Sequence, residues 1–202
     1  MWPAELLSGL DQFFLGFGGD RLAFAAALLA LSASAAAFRR VTPMRLVRRC
    51  VGAARFVNTG VRFGYGVGDL YRMLDAYRAP EACRGLDLYK AHRLSIALDL
   101  LRPLLYAPAL AVMLGCLLPY ALPPVRNETH HLTLVPLLAG LCDVVENLSL
   151  LHVINRHEAD PATPPRRRRL AAFSSLMTSV KLSLLGATLL VLLSCLLIVA
   201  LS

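Results

Sequence analysis

The sequence predicts an all-α, polytopic membrane protein: four transmembrane helices plus a basic amphipathic helix on the cytoplasmic side. Two bulk observations and one pattern predict it. The 202 residues are 57% hydrophobic and only 17% charged, with a mean hydropathy of +0.59; soluble chains run closer to half apolar and a quarter charged. Four stretches are near the ~20 apolar residues that a span requires: about 22–38, 95–118, 132–154 and 170–201. The basic residues, finally, gather in alternate connections between them. About half the chain is intramembrane on this count, so residues 1–202 read as a single membrane domain.

Each element has its own justification. Residues 1–21 read as an interfacial segment, with Phe13, Phe14 and Phe17 at headgroup level. Span 22–38 is alanine-rich and short, and reads as an uncleaved signal anchor; Glu5, Asp11 and Asp20 argue against a transit peptide. In the basic segment 39–94, Met44 to Phe63 has helical periodicity. Val47, Val51, Ala54 and Val61 share one face, and Arg45, Arg48, Arg55 and Arg62 the other. Such a helix lies in the membrane plane on anionic lipid headgroups or packs over the bundle's mouth. Gly64 to Gly68 reads as a turn; no strand precedes it, so it is no nucleotide loop. Asp69 then caps a helix through Tyr77, and another short run enters the second span near Tyr89. Pro103 and Pro108 should bend that span by freeing the carbonyls of Asp99 and Leu104. Span 170–201 exceeds a bilayer's need and should tilt or begin in the interface.

Charge distribution sets direction. Seventeen of 21 Lys and Arg lie in 39–94 and 155–169, against two before the first span and in loop 119–131. Positive loops stay cytoplasmic, so both termini and loop 119–131 are expected on the outer or lumenal side. The net charge of +8 therefore reflects topology, and nucleic acid is not an expected partner. The expected partners are the lipid bilayer and a membrane-protein partner. The four arginines at 166–169 read first as a topology anchor and second as a partner or trafficking signal. Asn127-Glu128-Thr129 is a glycosylation sequon in the outward loop. Five cysteines without paired spacing predict no disulfide framework; Cys116, Cys142 and Cys195 fall in spans, and Cys50 is a candidate for lipidation.

Polar groups inside the spans are the candidate site. A charge at mid-bilayer costs about 3 kcal/mol on insertion scales, so each one needs a partner or a task. Asp99, Arg102 and Tyr106 share a stripe at i, i+3 and i+7, and Asp143, Glu146 and Asn147 at i, i+3 and i+4. Lys181 shares its stripe with Ser174, Thr178, Thr188 and Cys195. Counted from Ser95, Val153 and Leu170, Arg102 and Glu146 are both seven residues deep, Asp143 ten and Lys181 eleven. At 1.5 Å per residue, depth pairs Arg102 with Glu146 and Lys181 with Asp143, leaving one acid in surplus. His92, His152 and His157 read as exposed interfacial histidines. No span holds two histidines at ligand spacing, so neither a metal nor a cofactor is expected.

From about Gly64 onward the chain resembles a family of small uncharacterised bacterial integral-membrane proteins. The resemblance is carried by Tyr71 with Leu74-Asp75, by Leu98-Asp99 with Pro103 and Tyr106, and by Asp143 with Glu146-Asn147, then Lys181. It implies a four-helix architecture and no activity. Without a nucleophile–base pair or metal set, the reading leans away from an enzyme. It favours a structural or accessory bundle with buried ion pairs, with a carrier or sensor of a small ligand, ion or proton as the alternative.

Overall fold

The computed structural model describes residues 4–41, 43–52, 56–57, 64–78, 85–122, 131–160 and 165–201. All elements among them are helical: α1 (Ala4–Leu15), α2 (Arg21–Val41), α3 (Met44–Val51), α4 (Val67–Ala76), α5 (Leu88–Asp99), α6 (Arg102–Ala121), a 3-10 turn (His131–Leu134), α7 (Val135–Ala159) and α8 (Pro165–Leu201). Four stretches are long and apolar enough to cross a membrane: Arg21–Phe38, Leu88–Ala121, His131–Ala159 and Pro165–Leu201. They coincide with the four stretches read from hydropathy. Asn127, Arg55, Arg62 and Cys83 lie outside the described residues.

The contacts divide the chain into two compact units, to both of which α7 and α8 contribute. One unit comprises residues 1–37, 102–141 and 183–202. Its core is small and apolar: Ala109, Leu110, Met113 and Leu114 of α6 with Leu192 and Cys195 of α8. Close approach sets its packing. A Cβ on Gly115 would stand 2.0 Å from the Phe14 carbonyl oxygen, so α1 can lie on α6 only where α6 has no side chain. Phe14 is accordingly buried instead of lying at headgroup level. Asp20 caps α2 through its Oδ1, which accepts from Leu22 N at 2.9 Å and Ala23 N at 3.0 Å. Only 6% of the Arg21–Phe38 window is buried, which suits a helix solvated by lipid.

The second unit comprises residues 38–101 and 142–182. Its core joins Val47 and Val51 of α3, Leu70, Met73 and Leu74 of α4, Ile96 of α5, and Leu150, Val153 and Ile154 of α7. The amphipathic helix is shorter than its periodicity: α3 ends at Gly52, whose positive φ of +84° suits glycine, which has no Cβ. Its apolar face enters this core, while Arg45 and Arg48 stay exposed. The apolar face is thus spent on protein, which leaves the arginines to face outward. Gly66, not Asp69, occupies the N-cap of α4; Asp69 sits in the first turn and pairs with Arg72. Within the second span, Leu100 and Leu101 form a turn and Pro103 lies in the first turn of α6. There its missing N–H costs nothing. Pro108 remains inside α6.

Candidate functional site

Asp143 and Glu146 are three residues apart on α7, so their carboxylates share one face. Facing them from α8 is Lys181, whose Nζ donates to Asp143 Oδ1 at 2.9 Å and to Glu146 Oε2 at 2.6 Å. Asn147 Nδ2 also donates to Asp143 Oδ1, at 3.2 Å. All four side chains are buried: Glu146 is 0% exposed, Lys181 4% and Asp143 8%. One ammonium has three donors and therefore serves two acids. Depth counting assigned Lys181 to Asp143 and Arg102 to Glu146. Lys181 serves Glu146 as well, and Glu146 Oε1 has no hydrogen-bond partner among the described residues. The triad carries two acids and one base.

The polar stripe of α8 is buried as its spacing predicts, with Ser174, Thr178, Thr188 and Cys195 all inside. Thr178 and Thr188 return their hydroxyls to the carbonyls of Ser174 and Leu184, four residues back. Ser174 does more: its Oγ donates to the Glu146 carbonyl at 3.3 Å and accepts from the Tyr65 hydroxyl at 2.8 Å. The segment around Tyr65 is fastened along α8, since Ser175 Oγ donates to the Tyr65 carbonyl and Gly64 N donates to Ser179 Oγ. Burial raises the Tyr65 phenol well above its ordinary value, offset in part by the Ser174 hydrogen bond. It is thus a permanent donor. Sequence reading left Tyr65 in a glycine turn; the regular α8 serines at 174, 175 and 179 were the available signal.

Asp99 ends α5 and Arg102 begins α6; both make interactions of their own. Tyr106 donates toward the Ala139 carbonyl at 3.5 Å. Cys50 is disulfide-bonded, so its sulfur is not open to acylation while that bond stands, and the expectation of no disulfide is corrected. Cys116, Cys142 and Cys195 are free.

A second polar cluster was missed entirely. His92 and His157 are 0% and 1% exposed, whereas His152 is exposed as expected. The Tyr89 hydroxyl donates to the Leu74 carbonyl at 3.0 Å and meets His157 Nδ1 at 2.9 Å. His157 Nε2 lies 3.1 Å from Asp75 Oδ1. Alongside, the Tyr77 hydroxyl meets His92 Nδ1 at 2.9 Å; burial holds the Tyr77 phenol far above its ordinary value, with Tyr89 adding to the shift. Arg78 Nη2 donates to the carbonyls of His157 and Glu158, each at 2.7 Å. It thereby satisfies the orphan carbonyls that end α7. This cluster ties α4, α5 and α7 together inside one unit.

What such an arrangement can do chemically is limited. It holds charge and protons, and sets the hydroxyls of Tyr77 and Tyr89 beside histidine nitrogens; no three metal-ligating side chains converge among the described residues. Comparison with known proteins supplies no further guide: no family model, no curated protein and no solved structure matches the chain.

Proposed function

We propose that this is a multi-pass integral membrane protein without enzymatic activity, a structural or accessory bundle held by its buried ion triad. The observation that carries this reading is the bridging of Asp143 and Glu146 by Lys181 within hydrogen-bond distance. In hydrocarbon, a cross-helix polar contact fixes which faces meet and in what register. The family resemblance contributes no activity.

The test is to exchange charges. Asp143→Lys and Lys181→Asp each leave like charges buried together and should prevent recovery of folded protein. Combined, they restore the opposition of charges, and folded protein should return. Loss of folding in the exchanged protein would overturn the reading.

A second reading, a carrier or sensor of a proton or small cation, is favoured by one specific atom: the buried Oε1 of Glu146 that lacks a hydrogen-bond partner. Glu146→Gln separates the two. A purely structural triad tolerates the amide, because Asp143 and Lys181 still balance. Under the second reading the folded variant loses its pH- or cation-dependent response.

The same proposal orients the chain with 39–94 and 155–169 in the cytoplasm and Arg45 and Arg48 on anionic lipid. A disulfide at Cys50 pulls the other way, since such bonds persist in oxidising compartments. The charge bias extends over seventeen residues, and we give it precedence. A membrane-impermeant maleimide applied to intact cells should then leave Arg45→Cys unlabelled. Labelling of Arg45→Cys by that reagent would reverse the orientation.

A further inference from the structure

The last turns of α7 and the first turns of α8 enclose a cavity of about 670 Å³. His152 and Arg156 line it from α7, and Arg166, Arg167 and Arg169 from α8, above a floor of Leu170 and Phe173. None of its lining residues is acidic. Arg167 is already engaged: it donates to the Asp160 carbonyl at 2.6 Å and to Asp160 Oδ2 at 2.7 Å. That contact shapes the connection and leaves the other arginines for a ligand. Among the described residues, no carboxylate pairs with Arg156, Arg166 or Arg169.

Position makes the cluster unusual. Cations suit a helix C-terminus, whereas the first turn of a helix carries partial positive charge and favours anions. Four arginines at 166–169 therefore oppose the α8 dipole in the absence of an anion. A bound anion would offset the arginines and the dipole at once, and guanidinium groups match phosphate oxygens in pairs.

The surface below the cavity specifies the rest of the ligand. On α8, Arg169, Phe173, Leu176 and Val180 share a face; the last three are exposed, Phe173 by 42% and Leu176 by 56%. On α7, Leu148, His152 and Arg156 share another, with Leu148 exposed. Both faces run from charge into apolar surface. We propose that this cavity is a binding site for an anionic glycerophospholipid, its headgroup phosphate held by Arg156, Arg166 and Arg169 and its acyl chains along Phe173, Leu176 and Leu148. The site assumes that the chain is inserted in a bilayer, but it is independent of the triad's role.

The test uses the full chain, purified in detergent, with phosphatidylglycerol and phosphatidylcholine of equal chain length as probes in native mass spectrometry. Phosphatidylglycerol should be retained in preference. Arg156→Gln with Arg169→Gln should weaken that retention about tenfold or more, the equivalent of one lost charge-assisted contact. Arg72→Gln with Lys90→Gln removes equal charge from the exposed surface of α4 and α5 and should leave retention unchanged. Should the first pair fail to fold, Arg166→Gln alone replaces it, with the same direction expected. Equal loss from the α4 and α5 pair would overturn the proposal in favour of diffuse surface charge. Displacement of the lipid by inorganic phosphate at about millimolar concentration would overturn it in favour of a free-anion site. Flotation with liposomes, measured on every variant, reports insertion separately from lipid selectivity.

Discussion

The two units are built on opposite principles. The unit that contains α1, α2 and α6 is held by small residues and close backbone approach, with Gly115 against Phe14 at its tightest point. The unit that contains α3, α4 and α5 is laced with buried polar groups, including Glu146, Lys181, His92, His157 and Ser174. Hydrocarbon offers helices no hydrophobic drive to associate, so shape and polar contacts must replace it. Each unit relies mainly on one of these. The difference teaches where each will fail: the first by steric intrusion, the second by an unpaired charge.

The largest break should come from Lys181→Met. It removes the ammonium from which both buried carboxylates accept, and removing one member of a buried pair costs about 3–5 kcal/mol. Unfolding measured in bicelles should show this loss, and the Lys181→Met protein should fail to accumulate in membranes. Next is Gly115→Ala, which pushes a methyl group into the Phe14 carbonyl and should cost about 1–3 kcal/mol. Protease protection of α1 should fall with it, while the polar unit keeps its stability. The smallest is Tyr89→Phe, which removes one hydroxyl from Leu74 and His157 at a cost of about 1–2 kcal/mol. Faster hydrogen exchange confined to α4 and the end of α7 would register it. If Gly115→Ala proved as damaging to the polar unit as Lys181→Met, the contrast between the units would collapse.

Much of this was legible in the chain because it depends on periodicity. Hydropathy marks the four long stretches; i, i+3 spacing places Asp143 with Glu146, and i, i+7 spacing places Ser174 on Lys181's face. Depth counting missed the bond from Lys181 to Glu146 because it assigned one base to each acid, whereas a lysine on a facing helix reaches both members of an i, i+3 pair. The histidines were misread because position near a helix end does not report burial. Tyr77 and Tyr89, from separate elements, cover His92 and His157 through contacts that no local pattern encodes. The turn at Leu100 and Leu101 was not foreseen for a related reason: a proline can sit inside a helix or in its first turn, and the surrounding backbone decides. Tyr65 depended on a contact 109 residues distant in sequence.

The central claim, that Lys181 balances two buried acids at once, is tested most directly by unfolding Lys181→Met with and without Glu146→Gln. In the intact protein the amide should change stability by less than about 1 kcal/mol, since Asp143 and Lys181 still balance. In the Lys181→Met background it should restore a substantial part of the loss, because the fully buried carboxylate that lost its ammonium is then uncharged. Simple addition of the two effects, with no rescue, would contradict the account.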